Sequence, residues 1–201
     1  HVGLIQLLNS DTATEQAKRN AAGALLNLAF NNEGSRGKIV EAGGHVGLIQ
    51  LLNSDTATEQ AKEHAAGALM NLSVDEGSRG KIVEAGGHVG LIQLLRSDTA
   101  TEQAKEHAAR ALLNLAFNNE GNRGGIVEAG GHVGLIQLLR SDTTTEWAKE
   151  HAAGALMNLS VDEGSRGKIV EAGGHVGLIQ LLRSDTATEQ AKEHAAGALM
   201  N

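Results

Sequence analysis

Apolar residues along this chain recur three and four positions apart, and nowhere do they alternate strictly with polar ones. In the stretch HVGLIQLLRS, from His88 to Ser97, Val89, Leu91, Ile92, Leu94 and Leu95 fall on one face. Downstream, Ala104, Ala108, Ala111, Leu112 and Leu115 are spaced 4, 3, 1 and 3 apart. That spacing is helical. A shorter run, RGKIVEA, precedes both and ends at Gly86–Gly87, where a glycine can adopt the left-handed conformation that closes a helix. The pattern predicts three helices. The first is short, over Arg79 to Ala85. The second covers HVGLIQLLRS. The third is long and opens with the capping box Thr99-x-x-Glu102, in which hydroxyl and carboxylate satisfy orphan N–H groups reciprocally.

The same three-helix pattern returns along the whole chain. HVGLIQLL begins at His1, His45, His88, His132 and His175, so the period alternates between 44 and 43 residues. The alternation comes from AFNNEG at Ala29 to Gly34, one residue longer than SVDEG at Ser73 to Gly77. A period of this length marks an all-helical solenoid, in which each repeat buries its apolar face only against its neighbours. The expected units are 1–44, 45–87, 88–131, 132–174 and a partial 175–201, forming one array. Residues 1–87 and 88–174 differ at nine positions, none of which replaces a core Leu, Ile or Val.

Each third helix carries an asparagine in an otherwise apolar run: AAGALLNLA, AAGALMNLS, AARALLNLA and AAGALMNLS again. At about 100° per residue, positions 4, 7 and 11 before that asparagine share its face to within roughly 40°. The resulting stripes are Gln16, Asn20, Gly23 and Asn27, then Gln60, His64, Gly67 and Asn71. Next come Gln103, His107, Arg110 and Asn114, then Trp147, His151, Gly154 and Asn158, and last Gln190, His194, Gly197 and Asn201. A polar stripe on a mostly buried helix faces water or a ligand. An asparagine amide offers a donor and an acceptor together, as a peptide bond requires. Near a helix C-terminus it can equally hydrogen-bond neighbouring backbone with no ligand involved. Three of the nine differences between the 87-residue halves fall on this stripe: Asn20/His107, Gly23/Arg110 and Gln60/Trp147.

GKIVEAGGHVGLIQLLRSDTATEQAKEHAAGALMNLS resembles the armadillo repeat over its whole length, and five copies in register extend the resemblance to essentially the entire chain. One departure is His-Val after the paired glycines, where the family commonly has Ile-Pro. The resemblance implies an all-α, right-handed superhelical solenoid. It also implies a non-enzymatic adaptor that binds an extended peptide or disordered segment in a concave groove lined by third helices. There the family's groove asparagine matches Asn27, Asn71, Asn114, Asn158 and Asn201, and the peptide-facing set includes Asn20, His64, His107, His151, His194, Gln60, Gln103, Arg110 and Trp147. The tryptophan that family members often carry four residues before the asparagine is here Gly or Arg110. The array is therefore closer to β-catenin-like and U-box-linked types than to importin-α, whose pockets hold basic peptides. Arg110, the only fixed positive charge on the stripe, suits an acidic or phosphorylated ligand residue. The alternative is a structural or engineered scaffold without a specific partner. Its uncapped ends would then stack head to tail.

Composition narrows the chemistry. The net charge is −7 and no segment is basic, which argues against nucleic acid. There is no cysteine, hence no disulfide or thiolate site, which fits a cytoplasmic or nuclear setting. No apolar run reaches the length of a membrane span, and the first residues show no signal-peptide pattern. The chain reads as a piece of a longer array. Nine histidines invite a metal reading. Equivalent side chains on adjacent packed helices, however, stand about 8–10 Å apart, too far to share a zinc ion bound at about 2 Å. Neither metal nor cofactor is expected. GxGxxG, GxxxxGK[ST] and HExxH are all missing. Protonation of the four stripe histidines near pH 6 would add positive charge beside any ligand.

Overall fold

The computed structural model describes residues 1–201 and contains fourteen α-helices and no strand. Numbered along the chain, the second helices of the repeats are α1 (Val2–Leu8), α4 (Gly44–Leu52), α7 (Gly87–Arg96), α10 (Gly131–Arg140) and α13 (Gly174–Leu182). The third helices are α2 (Glu15–Ala29), α5 (Glu59–Leu72), α8 (Glu102–Ala116), α11 (Glu146–Leu159) and α14 (Glu189–Met200). The first helices are α3 (Glu33–Glu41), α6 (Glu76–Glu84), α9 (Glu120–Glu128) and α12 (Glu163–Glu171).

The ends of these helices follow from local chemistry, with two corrections to the sequence reading. The N-cap of α8 is Thr101, two residues beyond the expected Thr99. Its hydroxyl accepts the N–H of Ala104 at 3.0 Å. Thr14, Thr58, Thr145 and Thr188 cap their helices in the same way. Thr99 is diverted into the loop, where its N–H and hydroxyl both bond Ser97 Oγ. Glu102 thus becomes the first helical residue and pairs with Lys105 at 3.4 Å. The first helix starts earlier than expected, at Glu76, because Asp75 occupies the N-cap position in an extended conformation. The paired glycines between first and second helices have separate jobs. Gly86 takes φ +80°, which a side chain disfavours. A Cβ on Gly87 would lie 2.7 Å from Ile82 Cγ2 and 2.9 Å from Ile82 O. The extra residue of the 44-residue repeats is absorbed at Asn31 and Asn118, with φ +48° and +51°. Asparagine tolerates that left-handed region better than most residues.

Packing turns the helices into a single array. The most extensive helix–helix contacts are between consecutive third helices, which lie side by side along the chain. Alanines such as Ala65, Ala66, Ala108, Ala109, Ala152 and Ala153 are fully buried at these contacts. Their small side chains allow close approach. One continuous cluster of buried apolar residues runs from Ile5 to Ala195, so the core belongs to the array and not to any one repeat. Apolar burial of about 25 cal/mol per Å² is therefore realised mostly between repeats, as a solenoid requires. No helix is long and apolar enough to cross a membrane.

Candidate functional site

The polar stripe forms, but its rows sit at different depths. Gln16, Gln60, Gln103, Trp147 and Gln190, at the start of each third helix, are exposed. His64, His107, His151 and His194, one turn on, are half-buried, while Asn20 is exposed. Asn71 and Asn158 are buried, Asn114 is half-buried, and Asn27 and Asn201 are exposed.

The asparagines bind one repeat to the next. Asn71 Nδ2 donates to Leu26 O at 3.0 Å, and Asn158 Nδ2 donates to Leu113 O at 3.1 Å. Asn114 and Asn201 use a variant of the same bond. They donate at 3.1 Å to Ser73 Oγ and Ser160 Oγ, with Met70 O and Met157 O at 3.4 and 3.2 Å. Those serine hydroxyls themselves donate to Met70 O and Met157 O. The two-repeat rhythm of the sequence thus appears as an alternation in ladder chemistry. Where the third helix ends in Leu-Asn-Leu-Ala, the next asparagine meets a bare carbonyl. Where it ends in Met-Asn-Leu-Ser, a serine stands between. Ser73 and Ser160 were not singled out from the sequence. The A/S alternation after Asn-Leu was the available signal. The asparagine donors are committed to these bonds, whereas their Oδ1 atoms accept none within the chain.

The histidine row also works between repeats. The His64 ring lies where a Cβ on Gly23 would be, 3.0 Å from Nδ1, and Nδ1 is 3.3 Å from Arg19 O. His107 sits on Gly67, and His194 on Gly154. The glycine four residues before Asn27, Asn71 and Asn158 is thus a notch for the next repeat's imidazole, whereas His151 follows Arg110 at that place. Burial holds His107 below the ordinary histidine pKa, with the Glu106 and Glu63 charges opposing. Burial does the same for His151, reinforced by Arg110. Both rings therefore take up a proton less readily than a free imidazole, which lowers the charge expected of the histidine ladder near pH 6.

A further rung escaped the sequence reading. Thr101, Thr145 and Thr188 donate their hydroxyls to Glu63, Glu106 and Glu150 of the preceding repeat, at 2.5, 3.1 and 2.5 Å. In the first repeat the equivalent residue is Arg19, which donates to Gln60 Oε1 at 2.8 Å. On the first helices, Asn122 replaces serine and donates to Leu115 O at 2.9 Å. In the three other repeats Arg36, Arg79 and Arg166 bond the corresponding chain end. Arg123, released from that duty, reaches across to Asp162 with bonds of 2.7 and 2.9 Å. Its guanidinium holds Asp162 below the usual carboxylate range.

Nothing on the stripe resembles an enclosed reaction site. A concavity of about 520 Å³ is an open hollow between α9 and α12, lined by Glu120, Glu128, Asp162 and Lys168 among others. No group of three or more His, Asp or Glu side chains is arranged to hold a metal ion.

No protein-family model matches the chain, and no curated protein does. Solved structures do. A computationally designed armadillo repeat protein for modular peptide recognition is 28% identical, with a TM-score of 0.86 over 98% of this chain and 80% of its own. A designed armadillo repeat protein in complex with the peptide (KR)4 is 28% identical, with a TM-score of 0.84 over the same shares. An engineered protein is 32% identical, with a TM-score of 0.85 over 98% of this chain and 77% of its own. The 43–44-residue period, the three-helix repeat, the row of third helices and these likenesses agree: the chain belongs to the armadillo-repeat family, and its near-identical repeats are those of a consensus-like array.

Proposed function

We propose that the chain is a non-enzymatic interaction scaffold that holds an extended peptide across the third helices. The observation that carries the reading is the row of asparagine carboxamides on consecutive third helices. Their donors bind the preceding repeat and their oxygens accept nothing within the chain. In this reading those oxygens receive peptide N–H groups, at one position per repeat. Helix spacing of about 8–10 Å against about 3.3 Å per extended residue gives two to three ligand residues per repeat. The likeness to designed proteins for modular peptide recognition supports the reading. In this role Asn27, Asn71, Asn114, Asn158 and Asn201 meet the peptide backbone. Gln60, Gln103, Asn20, Arg110, Trp147 and the four histidines flank it.

The test is a selection from an unbiased peptide library against the parent chain and an Asn27→Ala variant. Asn27 is exposed and makes no ladder bond, so its loss weakens ligand contact without loosening a repeat. Peptides enriched by the parent and weakened about threefold to tenfold by Asn27→Ala, the loss of one hydrogen bond, support the reading. No enrichment at all refutes it.

A second reading, association of the 201-residue chain through its two end faces, rests on one observation. Leu28 is 40% exposed where its counterpart Leu72 is fully buried, and Ile179 is 37% exposed where Ile92 is 2% exposed. Light scattering across a hundredfold concentration range checks it. A mass that stays at one chain throughout excludes stacking.

A further inference from the structure

Two stripe residues stand apart from the repeat pattern. Arg110 occupies a place held by glycine in the four other repeats, and Trp147 a place held by glutamine in the others. Both are exposed, Trp147 at 59%. Arg110 enters no ion pair, and the only cation over an aromatic ring in the chain is Arg79 over Phe117. They lie on neighbouring third helices, α8 and α11, and face the same way. Arg110 is close enough to His107 and His151 for its charge to be felt at both.

Exposed, uncommitted arginine and tryptophan are the side chains that most often dominate binding at interfaces. Neither has a scaffold task here, since the other repeats stack without them. Carboxylates of these third helices are directed elsewhere. Glu63, Glu106 and Glu150 accept the hydroxyls of Thr101, Thr145 and Thr188 on the adjacent helices. Arg110 is thus the one cation without a partner among the amides, imidazoles and indole of the stripe.

We propose that Arg110 and Trp147 form a two-point subsite that selects, within the peptide-binding reading above on which it rests, a segment carrying a carboxylate and an aromatic side chain. The geometry sets their separation. Arg110 is seven residues further along its helix than Gln103, the counterpart of Trp147. That is roughly 10 Å along the axis and one helix spacing of about 8–10 Å across. The diagonal of about 13–14 Å matches four residues of extended chain at about 3.3 Å each. Residues i and i+4 of a strand point to the same side, so both anchors can be filled at once. The guanidinium takes the carboxylate through paired N–H donors, and the indole stacks with the aromatic ring.

The probes are fluorescein-labelled octapeptides, Ser-Phe-Ser-Thr-Ser-Glu-Ser-Ser and the version with Phe and Glu exchanged, each with a Lys-for-Glu control. Binding is read by anisotropy in low salt against the parent, Arg110→Gly and Trp147→Gln. These variants install residues already present at the same place in other repeats, so folding is retained. At least one Glu peptide is expected to bind the parent about tenfold tighter than its Lys control. Arg110→Gly should abolish that preference. Trp147→Gln should weaken the Glu peptide about tenfold while leaving the Glu-over-Lys preference. Equal or tighter binding of the Lys controls, or a preference unchanged by Arg110→Gly, overturns the subsite. If library-selected peptides still bind in that case, the peptide-binding reading survives. If nothing binds in either experiment, both fall.

Discussion

Replacing Asn71 by alanine tests whether the ladder is a joint between repeats. Asn71 is 7% exposed and donates to Leu26 O at 3.0 Å. Leu26 O keeps a second partner, the N–H of Phe30 at 3.1 Å, so the substitution orphans no buried acceptor. The cost is one net hydrogen bond, about 1 kcal/mol, plus the small void left by the carboxamide. Alanine returns about 0.5 kcal/mol through its better helix propensity. Asn27→Ala receives the same propensity gain, but Asn27 is exposed and bonded to nothing upstream. Subtracting one variant from the other cancels propensity and isolates the joint. Asn71→Ala should be less stable than Asn27→Ala by about 1–2 kcal/mol. Urea unfolding followed by circular dichroism reads this directly. At a slope of about 2–3 kcal/mol per molar, the midpoints should differ by roughly 0.5 M. A gap below about 0.1 M would refute the assignment of the asparagines as inter-repeat joints, and the ladder would then be available wholly to a ligand.

Three further outcomes follow from the same contacts. A Cβ on Gly80, inside α6, meets nothing within 4 Å, so Gly80→Ala should raise stability by about 0.5–1 kcal/mol. Gly67→Ala drives a Cβ to 2.9 Å from Leu26 Cδ1 and 3.1 Å from His107 Cδ2 and should lower stability by about 1–2 kcal/mol; thermal melts of the two should move in opposite directions. Asp162→Asn removes the carboxylate that takes two bonds from Arg123. It should cost about 1–2 kcal/mol, less in 1 M salt. Burial also lowers the pKa of His45, His88 and His132, as it does for His107 and His151. Lys81 adds to the effect at His45, and Lys168 and Arg96 add to it at His132. For such groups the unfolded chain binds protons first as pH falls below about 6.5, so stability is full above that pH and is lost beneath it. Urea midpoints should therefore drop between pH 7 and 5, and a flat profile would contradict the burial of these rings.

The three-helix repeat was legible because its signals are local. Apolar spacing, the αL glycine at Gly86 and the threonine-rich entry to each third helix all act within a few residues. Even there the cap was misplaced onto Thr99, because two threonines compete and only the loop geometry around Ser97 decides between them. The stripe was legible as a set of positions but not as a set of roles. On a helical projection Asn71, His64 and Gln60 are equivalent, yet one is buried, one half-buried and one exposed.

Helix content, period and register of the array are thus properties of the sequence itself, since 3.6-residue periodicity and capping are settled by neighbours along the chain. Which stripe atoms remain free for a partner was decided only by stacking. The acceptors of the asparagine donors lie 41 to 45 residues upstream. The glycine notches beneath His64, His107 and His194 lie 40 or 41 residues upstream, and the glutamates opposite Thr101, Thr145 and Thr188 lie 38 or 39 upstream. Such pairs meet only when one third helix is laid beside the next. That contact buries Asn71 and Asn158 while leaving Arg110 and Trp147 exposed.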